Sequence, residues 1–267
     1  MSKIHKFLKA IRLIATKPYL LNLILENKDS YREQAIKNYH LPNGLMQVNI
    51  SDLFPGFNET VEPYAFLEGS SLPMDIALLK GLAKKYMVKN YLEIGTWRGE
   101  SVANVASFVE SCYTVNLPDE ELRRLGLSSE YIESHRYFSG NLPNVNHIQS
   151  HSHSFDFNSL GKEFDMVFID GDHHYGSVKK DTATAFDIIK DENSIIVWHD
   201  YGSSPESVRW EVMMGILDGC PLDKRDKIYH ISNTLCAVYL NEKFRVQEVV
   251  RYARPDKFFR IKLEVVT

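Results

Sequence analysis

The stretch YLEIGTWRGESVANVA, residues 91–106, decides the fold. An apolar strand ends in the acid Glu93, Gly95 and Gly99 bracket a tight turn, and an amphipathic helix begins near Glu100. Such a turn lets backbone amides and a helix N-terminus approach a carboxylate or phosphate closely. The glycine spacing is not the GxGxxG of dinucleotide-binding proteins, which argues against a nicotinamide dehydrogenase.

Strands and helices alternate through most of the chain. Five segments that are apolar almost throughout predict buried strands, and five amphipathic segments predict helices. Strands of this kind, separated by helices, are typical of a parallel sheet with helices on both faces. The predicted strands span 88–95, 112–117, 145–149, 164–170 and 194–199, and the predicted helices span 74–86, 100–110, 119–138, 176–190 and 205–218.

The pattern changes near the end of the chain. Two apolar segments, 226–232 and 234–241, are separated only by Asn233 and predict a hairpin, so the sheet ends in an antiparallel strand. We therefore predict an α/β, Rossmann-like fold with a mostly parallel sheet of seven strands, helices on both faces and a helical N-terminal extension. The extension and a connecting arm rich in proline and glycine span 1–69, and the α/β domain spans 70–267.

Composition limits the class of protein and its partners. The net charge is −4, so general nucleic-acid binding, which requires clustered Lys and Arg, is not expected. Three widely spaced cysteines form no CxxC pair and suit a reducing compartment. No apolar run approaches the ~20 residues that span a bilayer, and the basic N-terminus lacks the pattern of a signal peptide. We expect a cytoplasmic protein without stable membrane insertion.

The N-terminal extension carries two apolar patterns. Residues 3–16 place apolar side chains at helical spacing among basic ones, and no acid precedes Glu26. Pro18 ends or kinks this helix, and the apolar stretch YLLNLILEN follows at 19–27. A basic amphipathic helix can lie on an anionic membrane surface, or its apolar face can pack on protein. Because residues 20–25 are too densely apolar to remain exposed, we expect packing that joins two copies in a homodimer, with peripheral membrane association as the alternative.

The richest cluster of ionisable residues closes two of the predicted strands. FDMVFIDGDHHYG (164–176) ends one strand in Asp170, and SIIVWHDYG (194–202) ends another in His199 and Asp200. Open α/β sheets bind ligands at these carboxyl ends. Carboxylates suit Mg²⁺, and the softer histidine also admits Mn²⁺. The alternative is a polar cap of hydrogen-bonding side chains without a metal.

Both motifs resemble those of a known enzyme class. The turn is similar to the E-x-G-x-x-x-G signature of class I methyltransferases, which use S-adenosylmethionine (SAM). The sequence IDGDHHY…VWHDYG resembles O-methyltransferases related to macrocin- and cephalosporin-cluster enzymes and, more distantly, to catechol O-methyltransferases. The resemblance covers about residues 70–241. It implies transfer of a methyl group from SAM to a hydroxyl of a small acceptor, such as a sugar or a secondary metabolite.

The resemblance also implies a metal site and a catalytic base. By position, Asp170, His199 and Asp200 would hold a divalent metal, Mg²⁺ or Mn²⁺, with His199 in place of an acid or amide. His173 matches the position of the base and would act together with Asp170. A histidine suits the removal of a proton near neutral pH, and a metal would lower the pKa of the hydroxyl.

A set of cofactor contacts follows from the same resemblance. The turn would run past the methionine part of SAM, and Ser101 would help to hold its carboxylate. Asn116 stands where an acid commonly binds the ribose hydroxyls, and His151 lies where contacts to adenine are usual. The cofactor-binding residues implied by position are Glu93, Gly95, Thr96, Trp97, Gly99, Ser101, Asn116, His151 and Asp170.

The sequence leaves two other functions open. A metal-dependent hydrolase or hydroxylase could use His173, His174, His199 and Asp200, but the chain has no HExxH motif and this function leaves the glycine turn unexplained. A non-catalytic protein could keep the fold and bind SAM without any chemistry, because a fold does not determine function. The sequence does not identify the acceptor.

Overall fold

The N-terminal region forms a compact unit of its own. The structure, a computed structural model, describes residues 2–17, 28–204, 207–250 and 255–266. It divides the chain into two compact units, Met1–Pro42 and Asn43–Thr267. The first contains helix α1 (Lys3–Thr16), as predicted, and helix α2 (Lys28–Tyr39). The apolar stretch at 19–27 lies outside the described residues, so the homodimer that it predicts stays a prediction.

The connecting arm belongs to the second unit. The predicted boundary places residues up to 69 with the N-terminal extension, whereas the compact unit that holds the sheet begins at Asn43. Irregular chain of this kind carries no periodic signal, yet its backbone groups still require hydrogen-bond partners. Two of its amides, those of Glu62 and Ala65, donate to the side chains of Asn104 and Glu100. The arm is therefore part of the α/β unit.

One sheet forms the centre of the second unit. Its strands are β1 (Gln47–Val48), β2 (Asn90–Ile94), β3 (Ser111–Asn116), β4 (Val145–Gln149), β5 (Met166–Ile169), β6 (Ile195–Trp198), β7 (Ile228–Ile231), β8 (Ala237–Tyr239) and β9 (Val246–Gln247). Their order in space is β4-β3-β2-β5-β6-β8-β7-β1-β9. Neighbours from β4 to β6 are parallel, and β8 runs antiparallel to both β6 and β7. The mostly parallel α/β fold and its antiparallel hairpin strand are confirmed.

The predicted number of strands was wrong. Among the described residues the sheet has nine strands and not seven, because β1 and β9 extend it beyond β7. β1 pairs parallel with β7, and β9 pairs antiparallel with β1. Each of these two strands is only two residues long. A segment so short leaves no alternating pattern in the sequence.

Helices cover the sheet in the predicted places, with one exception. The predicted helix over 119–138 is two short helices, because Gly126, at φ +85°, adopts the left-handed conformation that ends a helix. None of the described helices is both long and apolar enough to cross a membrane. The helices of this unit are α3 (Ile50–Leu53), α4 (Pro73–Lys85), α5 (Glu100–Ala106), α6 (Asp119–Arg124), α7 (Ser129–Glu133), α8 (Tyr175–Ile188) and α9 (Trp210–Gly219).

The strand order places a crevice beside β2. After β2 the chain moves outward through β3 to β4 and then returns to place β5 on the other side of β2. Ligands of open α/β sheets bind where the order reverses in this way, at the carboxyl ends of the strands. The Asp170 amide, just after β5, donates to the carbonyl of Ile94 at 2.8 Å. The topology therefore brings the glycine turn and the acidic cluster side by side.

Candidate active site

The turn after β2 is shaped by the close approach of the chain that follows β5. Gly95 has a φ of +90°, and a side chain there would collide with the main-chain carbonyl of Asp170 and with Gly171. Gly99, at φ +81°, precedes α5, and a side chain there would collide with Ser139. Only glycine combines this conformation with so close a contact. The structure thus gives a geometric reason for both glycines of the motif.

Glu93 holds the turn from inside. Its buried carboxylate accepts hydrogen bonds from the hydroxyls of Thr96 (2.7 Å), Ser101 (2.9 Å) and Tyr91 (2.8 Å). Burial raises the pKa of Glu93 to about 7, although the three hydrogen bonds act in the opposite direction. The hydroxyls of Thr96 and Ser101 therefore already have an acceptor within the protein. The predicted contact between Ser101 and the cofactor's carboxylate stays a prediction.

Trp97 packs the turn against the chain between β3 and β4. Its ring stacks on Tyr131 with 4.8 Å between centroids, and the Arg98 guanidinium lies 4.0 Å from its centroid. Its indole N–H donates to the hydroxyl of Ser134 at 2.9 Å. The polar atom of Trp97 is therefore used by the protein, and the structure gives this residue a packing role. Its predicted contact with the cofactor stays a prediction.

Two buried charged residues fasten the connecting arm to the turn. Glu100 accepts hydrogen bonds from the Ala65 amide (2.7 Å) and the Ser70 hydroxyl (2.5 Å). Arg98 donates to the Glu68 carbonyl (2.9 Å) and to the Ser70 hydroxyl (2.7 Å). Their positions in the sequence give no sign of these contacts, because charged residues at the start of a helix are usually solvated. Together they determine how the arm covers this edge of the sheet.

The three predicted metal ligands meet at the ends of β5 and β6. His199 Nδ1 lies 3.0 Å from Asp170 Oδ1 and 3.2 Å from Asp200 Oδ2. The nitrogen is buried and is not aligned for a good hydrogen bond to either carboxylate. Burial alone would lower the pKa of His199, but the surrounding carboxylates outweigh it and raise that pKa well above its usual value. A positive charge is therefore favoured between the two aspartates.

Asp75 is a site residue that the sequence did not reveal. It lies in the first turn of α4, is fully buried, and its Oδ2 is 3.0 Å from His199 Nε2. The same carboxylate accepts from the amides of Leu72 (2.9 Å) and Leu235 (2.8 Å). An acid three residues into a helix is typical of an N-terminal cap, so the sequence gives no reason to expect that Asp75 also contacts His199. Asp75 orients the His199 ring so that Nδ1 points to the aspartate pair.

His173 lies on the other side of Asp200. Its Nε2 is 3.1 Å from Asp200 Oδ2, and the Arg209 guanidinium is 3.2 Å from Asp200 Oδ1. Burial would raise the pKa of Asp200, but the hydrogen bond and charge of His199 and the charges of His173 and Arg209 lower it to about 2. Asp200 also has a φ of +58°, which is uncommon for a residue with a side chain and frequent at functional sites.

The side chains here fit a divalent cation. Single ligand atoms from Asp170, His173 and Asp200 lie within 4.8 Å of one another. This set shares both carboxylates with the predicted one and contains His173 where the prediction has His199. Two carboxylates so close to each other need positive charge between or beside them. Oxygen ligands such as these suit Mg²⁺ or Mn²⁺.

The remaining predicted residues lie outside this cluster. Asn116, at the end of β3, has its Nδ2 3.3 Å from Nδ1 of the buried His135. His151 is exposed, and its Nδ1 accepts from the His153 amide at 3.1 Å. His174 precedes α8 and is exposed beside Asp172, so it contributes to the start of the helix and not to the cluster.

Solved structures and a family model resemble this chain. An O-methyltransferase from Bacillus cereus in complex with S-adenosylhomocysteine (SAH) shares 15% identity over 85% of this chain and 97% of that chain, with a TM-score of 0.40. A candidate caffeoyl-CoA O-methyltransferase from Staphylococcus aureus shares 20% identity over 85% of this chain and 100% of that chain, with a TM-score of 0.43. No curated protein sequence matches. Residues 92–201 match the family model described as a methyltransferase domain.

The family match covers both of the motifs singled out in the sequence. It spans the glycine turn, the Asp170 strand end and the His199–Asp200 strand end, all of which lie at one edge of the sheet. Residues 92–201 are therefore similar to a methyltransferase domain, and the sheet order and the glycine turn are consistent with the class I, SAM-dependent fold. The match gives no support to the hydrolase and dehydrogenase alternatives.

Proposed function

We propose that this protein is a SAM-dependent methyltransferase that moves the methyl group of SAM to a hydroxyl oxygen of a small acceptor at the carboxyl ends of β2, β5 and β6. One observation carries the proposal: His173 Nε2 lies 3.1 Å from Asp200 Oδ2, in a cluster with Asp170. The main chain of Asp170 also abuts Gly95, so the group that can take a proton lies next to the turn expected to hold the methyl donor. A proton acceptor beside a methyl donor is what transfer to oxygen requires.

The cofactor would lie along the turn and reach β3. We place its methionine part beside Gly95 and Thr96, and its ribose beside Asn116. The Asn116 amide group is directed to His135 Nδ1 at 3.3 Å, which leaves the amide oxygen as an acceptor for the ribose hydroxyls. An amide oxygen accepts as a carboxylate oxygen does, but without the strength that a full charge adds. The adenine would then lie near His151, beyond β4.

His173 would remove the proton from the acceptor. Its Nε2 lies 3.1 Å from Asp200 Oδ2, and the neutral tautomer with its proton on Nε2, facing that carboxylate, would leave Nδ1 with a free lone pair. The acceptor oxygen attacks the methyl carbon in line with the C–S bond, and its proton passes to Nδ1. The C–S bond breaks, its electrons stay on sulfur, and the sulfonium becomes the neutral thioether of SAH. This arrangement is the pairing of a base with an orienting carboxylate.

Asp170 and Asp200 would hold a divalent ion on the acceptor side of the cluster. When bound, the ion lowers the pKa of the acceptor hydroxyl. His199 is fixed by Asp75 at 3.0 Å and directs its other nitrogen to the two carboxylates. We propose that this contact holds both aspartates in one geometry, as partners of metal ligands do.

Methyl transfer from methyl-labelled SAM to a panel of hydroxylated acceptors tests the proposal. His173→Ala should lower kcat by about 100-fold or more, whereas His174→Ala, its exposed neighbour, should leave kcat nearly unchanged. EDTA should lower the rate, and Mg²⁺ or Mn²⁺ should restore it. A wild-type rate in His173→Ala would overturn the assignment of the base, and a rate indifferent to EDTA would remove the metal. SAH binding without transfer to any acceptor would favour a SAM-binding protein that lacks chemistry.

A further inference from the structure

Helix α1 presents an apolar face that the described structure leaves uncovered. Ile4, Phe7, Leu8 and Ile11 are 72%, 64%, 60% and 49% exposed, and the helix has no buried residue. Their spacing of three and four places them on one side of the helix. Four large apolar side chains on one short helix are more than the scattered apolar residues that ordinary surfaces carry.

The opposite face of α1 is mostly polar and basic. His5, Lys6, Lys9 and Arg12 lie there beside Leu13 and Thr16, and Ser2 to Lys17 contain no acidic residue. Ser2 caps the N-terminus of the helix, since its hydroxyl accepts a hydrogen bond from the His5 amide at 3.3 Å. The sequence thus builds a short helix with an apolar side, a cationic side and a defined start.

We infer that α1 docks the protein on the surface of an anionic lipid bilayer. The apolar face would enter the boundary between headgroups and acyl chains, and the basic side chains would reach back to the lipid phosphates. With 14 residues the helix is about 21 Å long, too short to cross a hydrocarbon core of about 30 Å. It therefore lies in the plane of the membrane surface.

Charge argues for lipid over a second copy of this helix. Two copies of α1 packed through their apolar faces would bring cationic flanks together with no acidic side chain to pair with them. Helices that associate usually place opposite charges beside the apolar seam. An anionic bilayer supplies both the apolar layer and the opposite charge.

Vesicle flotation of the full-length protein tests this inference. The protein should float with vesicles of phosphatidylcholine mixed with phosphatidylglycerol, remain unbound with phosphatidylcholine alone, and be released by salt. Leu8→Asn with Ile11→Asn, and separately Lys6→Glu with Lys9→Glu, should each lower partitioning by about tenfold or more. Leu263→Asn, at a position 70% exposed outside α1, is the matched control and should float as the wild type does.

SAH binding distinguishes loss of docking from loss of fold, and every variant should retain it. Two results would overturn the inference. One is flotation that is absent, or that does not change between the two kinds of vesicle. The other is light scattering in which the α1 variants become monomeric while the wild type is a dimer, because a second copy would then cover this face.

Discussion

Replacing Glu93 with Gln tests whether burial of this carboxyl group raises its pKa and so makes its ionised form destabilising. The side chain is 1% exposed, and its three partners are hydroxyls at 2.7–2.9 Å. Gln keeps an oxygen that can accept from Thr96 and Ser101, and its amide group can donate to the hydroxyl of Tyr91. The substitution therefore removes the charge and leaves the shape.

The size and sign of the effect follow from the pKa of Glu93. Burial raises it from 4.5 to about 7, so the folded protein binds this proton more tightly than the unfolded chain. The stability of the wild type should therefore fall as the pH rises from about 4.5 to about 7, and then no longer depend on this group. At about 1.4 kcal/mol per pH unit, the full penalty is about 3 kcal/mol. Glu93→Gln does not pay this penalty, because glutamine does not ionise.

Thermal unfolding at pH 5 and pH 8 provides the assay. Relative to the wild type, Glu93→Gln should gain almost nothing at pH 5 and up to about 10 °C in Tm at pH 8. Glu110→Gln, at a site 69% exposed, should show no such dependence on pH. A variant that is destabilised more at pH 8 than at pH 5 would refute the reasoning, because the charged carboxylate would then stabilise the turn. A loss of SAH affinity beyond about tenfold with an intact fold would mean that Glu93 contacts the cofactor.

Two further substitutions probe the contacts around Asp170. Gly95→Ala should lower the Tm far more than Gly56→Ala does, and it should abolish the SAH binding measured by calorimetry. Both positions have a positive φ, but only at position 95 would the added methyl group collide with backbone atoms. Equal losses of Tm would show that the backbone conformation alone matters. Asp75→Asn places an amide where three N–H groups need acceptors, so it should lower the stability by about 3 kcal/mol and the Tm by about 6–12 °C. An unchanged Tm at pH 7 would show that the pairing with His199 contributes nothing.

Local pattern determined much of this protein. Apolar runs separated by amphipathic segments predict a parallel sheet because only strands covered on both faces can be apolar throughout. The carboxyl ends of such strands share one edge, so Asp170, His199 and Asp200 were expected to meet, and they do. The glycines at 95 and 99 follow equally from local geometry, since a tight strand–turn–helix junction needs a left-handed conformation there.

Only the tertiary structure decided what surrounds these residues. Asp75 is 124 positions from His199 in the chain, and nothing near it in sequence distinguishes it from a helix cap. Glu93 is held inside the turn by three hydroxyl partners that its sequence position does not reveal, and its contact with the cofactor stays a prediction. The sequence also does not predict that Arg98 and Glu100 bind the arm, because individual hydrogen bonds between an irregular segment and the start of a helix leave no pattern in the sequence. Periodicity reports which face of a segment is apolar, whereas a buried polar contact depends on which distant atoms the fold brings within about 3 Å.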